Sequence, residues 1–373
     1  MRTRVAAAIV GLMVLPAMVR AGEWHEKLKI KGDFRHRHEL IQVEDKEDNN
    51  RWRIRARLAA EAEISEAWSA AIGLASGSDD PVSTNQTLTD GFATKGFSLD
   101  LAYFDFHPNA IKGLNIIGGK MKVPFETADK TELIWDGDLT PEGAAIRFGR
   151  SFGENVKMYL NGGLFYIRDM DPDDESYLAG VQAGFNVKAS KDVKLMIGAG
   201  YYDYSGAENM PFFYKTDKNY GNSKKVIGTT ASGNVYGYAV DFNDVEVLGV
   251  VDVAVSDKAG LKLYGNYVTN VAADSLDTGW LFGGALSRGT NKGSVRVYAN
   301  YRRIEADAVV GAFTDSDFIG GGTNGKGLEL GAAYGVAKNV SLDLTYFVNT
   351  KGIKDVDDEI DYKRLQADLQ LKF

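Results

Sequence analysis

Cysteine is absent from the 373 residues, which removes disulfide frameworks, thiolate metal sites and cysteine nucleophiles together. Histidine is scarce: His25, His36, His38 and His107 are too few for a histidine-based metal centre. Only 7 prolines stand beside 42 glycines, so the chain is rich in turns without being linker-like. A basic surface is missing too. With 43 Lys and Arg against 51 Asp and Glu, the net charge is -8, which argues against a nucleic-acid partner because phosphate neutralisation needs the opposite sign. Beyond the N-terminus no stretch reaches the roughly 20 apolar residues of a spanning helix. That absence does not imply solubility, because a membrane barrel hides its hydrophobicity in alternation.

The N-terminus reads as an address. Arg2 and Arg4 precede an apolar run from Val5 to Val19, and Val19-Arg20-Ala21 offers small residues at the cleavage positions. These are the parts of a secretory signal peptide spanning 1–21. A membrane anchor is the weaker reading, since Pro16 and Arg20 interrupt an already short run. Loss of Arg2, Arg4 and Arg20 takes the net charge from -8 to -11 and leaves 22–373 as a single domain.

Alternation fills the rest. Leu28, Ile30, Phe34 and Leu40 share one parity, while Lys27, Lys29, Lys31, Asp33, Arg35, Arg37 and Glu39 take the other. Next, Trp52, Ile54, Ala56, Leu58, Ala60, Ala62 and Ile64 alternate with Arg51, Arg53, Arg55, Arg57, Glu61 and Glu63. Successive side chains on a strand point to opposite faces, so each strand has an apolar side and a charged side. The pattern predicts sixteen strands, at 27–41, 51–64, 68–77, 97–107, 113–123, 143–152, 155–167, 177–188, 192–204, 240–255, 260–271, 278–288, 292–304, 326–337, 339–349 and 361–373. Most exceed the roughly 9–11 residues with which a tilted strand crosses a bilayer. Short connections, such as Ser65-Glu66-Ala67 and Gly153-Glu154, alternate with long ones, such as 78–96, 124–142, 205–239 and 305–325. The expected fold is all-β: a transmembrane antiparallel β-barrel of about sixteen strands, with short periplasmic turns, long extracellular loops and one loop folded inward. The last strand, alternating up to Phe373, resembles the C-terminal assembly signal of bacterial outer-membrane proteins.

Hydrocarbon cannot satisfy backbone N–H and C=O groups, so strands survive there only in a closed barrel. Lysine or arginine facing lipid costs roughly 2–4 kcal/mol at the midplane, so the charged parity must face the lumen. Arg35, Arg37, Arg51, Arg53, Arg55 and Arg57 then form a ladder up the pore wall in steps of roughly 7 Å, extended by Lys120, Lys122 and Arg147. Loop 124–142 holds Phe125, Leu133, Ile134 and Trp135, too apolar for a solvated tip. It is expected to enter the barrel as a constriction carrying Glu126, Asp129, Glu132, Trp135, Asp136, Asp138 and Glu142, its acids facing the ladder across water. Small outward residues (Ala56, Ala60, Ala62, Ala70, Ala367) suit wall-to-wall packing and predict a homotrimer with strands 1–3 and 16 at the interface. Lipid and lipopolysaccharide would surround the remaining wall.

Some segments carry a more specific likeness. Gly119-Lys120-Met121-Lys122-Val123-Pro124-Phe125 is followed by Trp135-Asp136-Gly137-Asp138-Leu139-Thr140-Pro141-Glu142-Gly143, and later by Thr314-Asp315-Ser316-Asp317-Phe318. With Gly320–Gly327 and Lys338-Asn339-Val340, these resemble the putative-porin family of Gram-negative bacteria over essentially the whole mature chain. The resemblance implies an integral outer-membrane channel without a defined substrate. A helical segment that some relatives carry before the barrel has no counterpart in the pattern.

Other patterns have plainer readings. Gly320–Lys326 fits the first part of a phosphate-binding loop, but Gly327 stands where Ser or Thr is required and a strand follows. Asp169, Asp171, Asp173, Asp174 and Glu175 lack EF-hand spacing and suit a solvated tip. His36 and His38 fall on the outward parity, where a hydrolase would also need a serine and an oxyanion site. Neither is nominated, so lipid-interface or subunit contacts fit better. No enzyme, catalytic residue, metal or cofactor is expected. The reading is a passive, water-filled channel for small hydrophilic solutes and ions. An anion- or phosphate-selective porin is the alternative, and an enzyme or structural barrel on the outer surface is a third class.

Overall fold

The computed structural model describes residues 27–168, 175–354 and 358–373. The expected leader, 1–21, and the carboxylates Asp169, Asp171, Asp173 and Asp174 lie outside them. The wall strands are β1 (Leu28–Val43), β2 (Asn49–Ser65), β3 (Trp68–Ser76), β5 (Phe97–Phe106), β6 (Leu114–Lys120), β7 (Glu142–Phe152), β8 (Val156–Arg168), β9 (Ser176–Lys188) and β10 (Val193–Tyr204). They continue with β13 (Phe242–Ser256), β14 (Ala259–Asn270), β15 (Thr278–Arg288), β16 (Val295–Ile304), β17 (Gly325–Ala337), β18 (Val340–Lys351) and β19 (Ile360–Lys372). The short β4 (Gln86–Thr87) and the hairpin β11 (Lys224–Thr230) and β12 (Gly233–Tyr238) lie within long connections. Each wall strand pairs antiparallel with the next, and β19 pairs back onto β1, which closes sixteen strands into a barrel.

Alternation sorts the two faces. Trp52, Leu58 and Ile64 of β2 are 51%, 47% and 64% exposed, whereas Arg55 between them is 9% exposed. The apolar parity therefore forms the outer wall, and the charged parity fills the interior. Gly32 serves the seam. Its N–H and C=O exchange 3.0 Å bonds with Phe373, and a Cβ there would strike the Phe373 ring.

The interior is not an open tube. Loop 124–142 enters it, and 305–325 enters beside it. Leu133, Ile134 and Trp135 from the first pack with Val309, Val310 and Phe318 from the second, against wall residues Phe165, Tyr202, Tyr204 and Phe242. Burying each such side chain contributes about 1.5–3 kcal/mol, enough to hold a loop against its lost freedom. Gly180 of β9 makes room, since a Cβ there would lie 2.5 Å from the Phe125 ring. The loops are also stitched by polar bonds: the Asp136 N–H donates to Phe313 O at 2.9 Å, and Thr314 Oγ1 donates to Leu133 O at 2.9 Å. Connection 205–239 packs on them, with Asn222 Nδ2 donating to Val309 O at 2.8 Å. Connection 78–96 adds Thr84, whose N–H donates to Asp138 at 3.0 Å.

Candidate functional site

Strands β1, β2 and β19 lie side by side, so their interior parities merge into one basic wall. Arg37 grips Asp368 of β19 through two bonds of 2.7 Å and reaches Asp317 of the second inward loop at 3.1 Å. Two-bond contacts of this kind are the strong form of the arginine–carboxylate pair. Arg364 holds Glu39 at 2.6 Å and Asp317 at 2.7 Å, and Arg51 binds Glu39 at 2.5 Å. Arg55 and Arg57 share Asp33 at 2.9 and 2.7 Å, and Arg57 also reaches Asp138 of the first inward loop at 2.9 Å. The ladder expected from the sequence is therefore braced by carboxylates in direct contact, not faced by them across water. Arg35 and Arg53 are the exceptions. Arg35 donates to Asn85 at 2.6 Å with Asp368 only at 3.9 Å, while Arg53 has Glu39 at 3.8 Å.

The outlying candidates divide. Lys122 lies inside, beside Asp33, Arg57 and Asp100. Arg147 points inward to Glu126 at 2.9 Å. Lys120 is in register with Glu142, on the parity of the exposed Ile146; its ammonium pairs with Glu142 at 2.9 Å and donates to Thr140 O of the first inward loop at 3.0 Å, and it borders the cavity lined by Phe125 and Trp135. Glu142 opens β7 where the first inward loop ends, and it borders the same cavity. The strand ends at Lys120, three residues before the expected end at 123, which separates the two lysines.

The remaining loop acids serve as anchors. Asp129 takes Lys262 at 2.8 Å and Arg296 at 2.6 Å from the opposite wall. Glu132, Asp136 and Asp315 bring carboxylate oxygens within 4.8 Å of one another where the loops meet. Burial, and then Asp136 and Asp315, push the Glu132 carboxyl well above its ordinary range. Burial followed by Asp138 and Asp315 does the same to Asp136. For Asp317 burial pulls the same way, but Arg364 and Arg37 outweigh it and hold the carboxyl well below its usual range. Trp135 packs stacked on Phe125 at 5.8 Å and edge-on to Tyr202 at 5.0 Å.

Four basic partners lie outside the ladder expected from the sequence: Arg302 (2.9 Å from Asp315), Arg364, Lys262 and Arg296. Interior parity on β14, β16 and β19 is the signal that nominates them. Two cavities flank the packed loops. One of ≈ 340 Å³, toward the long loops, is lined by Phe125, Trp135, Phe165, Phe213, Tyr214 and Phe313. The other, of ≈ 220 Å³, is polar and lies beneath Asp129, Lys130 and Thr131.

The family model described as "Putative porin" matches residues 41–216 and 209–373. No curated protein matches in sequence. Among solved structures, Pseudomonas putida OprB aligns with a TM-score of 0.58 at 11% identity, covering 94% of this chain and 95% of that one. Salmonella typhi OmpF in complex with daunomycin gives 0.56 at 10% identity, over 93% and 97%. OmpT, an outer membrane protein of Vibrio cholerae in a trimer form, gives 0.53 at 11% identity, over 93% and 100%. At these identities the likeness is one of fold.

Proposed function

The chain belongs to the putative-porin family of outer-membrane channels, and from that premise we propose that it is a narrow, water-filled pore for passive diffusion of small hydrophilic solutes and ions. The observation that carries this is the interior. Charged side chains of both signs line a closed barrel, and loops crossing from the long-loop side narrow it. Diffusion needs no chemical step, so no catalytic group or cofactor is called for. Purified protein inserted in a planar bilayer should give stepwise conductance in KCl; a folded preparation that gives none would overturn the reading.

Anion preference, phosphate included, is the second reading, and Arg35 and Arg53 favour it. Both lie on the basic wall with no carboxylate closer than 3.8 Å among the described residues. Arginine keeps its charge and can grip an oxyanion with two bonds. Replacing Arg53, Arg55 and Arg57 together by Ala removes three positive charges and frees Asp33 and Asp138. The reversal potential in a KCl gradient should move toward cations. If the folded triple variant keeps wild-type selectivity, the ladder only braces the wall.

A homotrimer is the proposed assembly, embedded in lipid and lipopolysaccharide, with β1–β3 and β19 at the interface. The outer wall there carries Ala56, Ala60 and Ala62, and the outward His36 stacks on Trp52 at 5.0 Å. Imidazoles on a lipid-facing wall suit a neighbouring subunit better than hydrocarbon. Cross-linking in native membranes should capture trimers, and capture of monomer alone would refute them.

A further inference from the structure

The cavity toward the long loops is edged by rings whose planes run nearly the same way. Phe213 and Phe313 are 9° from parallel at 6.1 Å, and they make angles of 23° and 21° with the buried Tyr204. Trp135 is tilted 31° from Tyr204, and Phe125 lies 27° from Trp135. Four of these rings, all but Tyr204, line a space of ≈ 340 Å³. Phe125 and Trp135 are buried, whereas Phe213 and Phe313 are only half-buried and keep ring surface for a solute. A concave space walled by aromatic side chains, with few polar groups, is the usual form of a small-molecule site. Parallel rings select for shape: a flat aromatic ring continues the stack, and a puckered ring cannot lie flush against it.

The polar groups of the lining set the charge. Lys120 and Glu142 neutralise one another at 2.9 Å. Asp79 and Arg168 remain, one of each sign. Asp79 is exposed and accepts from the Tyr214 hydroxyl through Oδ1 at 3.3 Å, which leaves Oδ2 open. Arg168 is half-buried, donates one N–H to Phe212 O at 2.6 Å and makes no ion pair among the described residues. A charged solute would be drawn to one of the two and repelled by the other. A neutral solute with hydroxyl groups can donate to Asp79 and accept from Arg168. We propose that this cavity binds a neutral, hydroxylated aromatic ring of the catechol class, stacked against Phe213 and Phe313 with its hydroxyls toward Asp79 and Arg168. The inference rests on the channel reading and names a solute class held on the long-loop side of the pore.

Binding to the full-length protein in detergent is measured by titration calorimetry with catechol, trans-1,2-cyclohexanediol and benzoate. The diol keeps both hydroxyls without the flat ring, and benzoate keeps the ring but adds a negative charge. KCl conductance is measured on the same preparations, so absence of a channel is distinguishable from absence of the site. Catechol should bind at least about tenfold tighter than either comparison solute. Replacing Phe213 and Phe313 together by Leu should weaken catechol about tenfold and leave the diol unchanged. Asp79→Ala should also weaken catechol about tenfold, as loss of one hydrogen bond to a charged group does. Asp79 is exposed, so that variant folds even if the double replacement does not. Equal binding of the diol, equal or tighter binding of benzoate, no binding of catechol, or wild-type catechol affinity in either folded variant would overturn the proposal.

Discussion

Deleting residues 131–138 is expected to raise the KCl conductance several-fold. The segment contains Leu133, Ile134 and Trp135, the apolar contacts that hold the first inward loop against Phe165 and Tyr202. It also contains Asp138, which ties the loop to Arg57 at 2.9 Å, and the backbone that meets Phe313 and Thr314 of the second loop. Without them the two loops lose their common core and the interior widens. The wall strands keep all their pairings, so the variant should still fold and show the heat-modifiable migration of a closed barrel. A folded deletion with unchanged conductance would show that current bypasses the loops altogether.

Glu39→Ala should destabilise the barrel by about 3–5 kcal/mol, the cost of leaving buried charge uncompensated. Glu39 has no exposed surface and lies within 4.0 Å of four arginines: Arg51 at 2.5 Å, Arg364 at 2.6 Å, Arg37 at 3.3 Å and Arg53 at 3.8 Å. Removing it turns a compensated cluster into neighbouring positive charges in a confined space. Folding titrations in guanidinium, run in lipid vesicles, measure the loss. Glu61→Ala is the control, because its partner Lys31 is largely exposed and surface pairs contribute about 0–1 kcal/mol. If Glu39→Ala proves no worse than the control, the arginines are hydrated and the ion network does not stabilise the wall.

Wall strands were legible because their period is local. Arg51, Arg53, Arg55 and Arg57 announce a strand and its faces without any knowledge of the neighbours. Trp135 likewise announced an inward loop, since an indole at a solvated tip has no reason to be there. The companion loop carried a similar signal in Ala306 and Ala308-Val309-Val310, but its small residues are less conspicuous than an indole. The hairpin of β11 and β12 is not legible in that period because it lies inside a connection and contributes nothing to the wall. Ion pairs were the least legible part. Arg37 and Asp368 are 331 positions apart, and Arg364 and Glu39 are 325 apart, so no local pattern relates them. Nor did parity warn that Lys120 and Lys122 would part company, because it holds only while the strand continues.

Every wall contact but one joins strands that follow each other along the chain; β1 with β19 is the exception. Hairpins can form one after another at little entropic cost, whereas this seam requires the two ends of the wall to meet, which is the slow kind of contact. The same seam carries Arg37–Asp368 and Arg364–Glu39, so guanidinium and carboxylate groups on both edges stay unmatched until it shuts. Two open edges are also templates for pairing with other chains. The unclosed sheet is thus the vulnerable species in this protein's life, adhesive along its sides and charged along its lumen. A chaperone or insertion machine that shields β1 until β19 arrives would protect the edge on which all the rest depends.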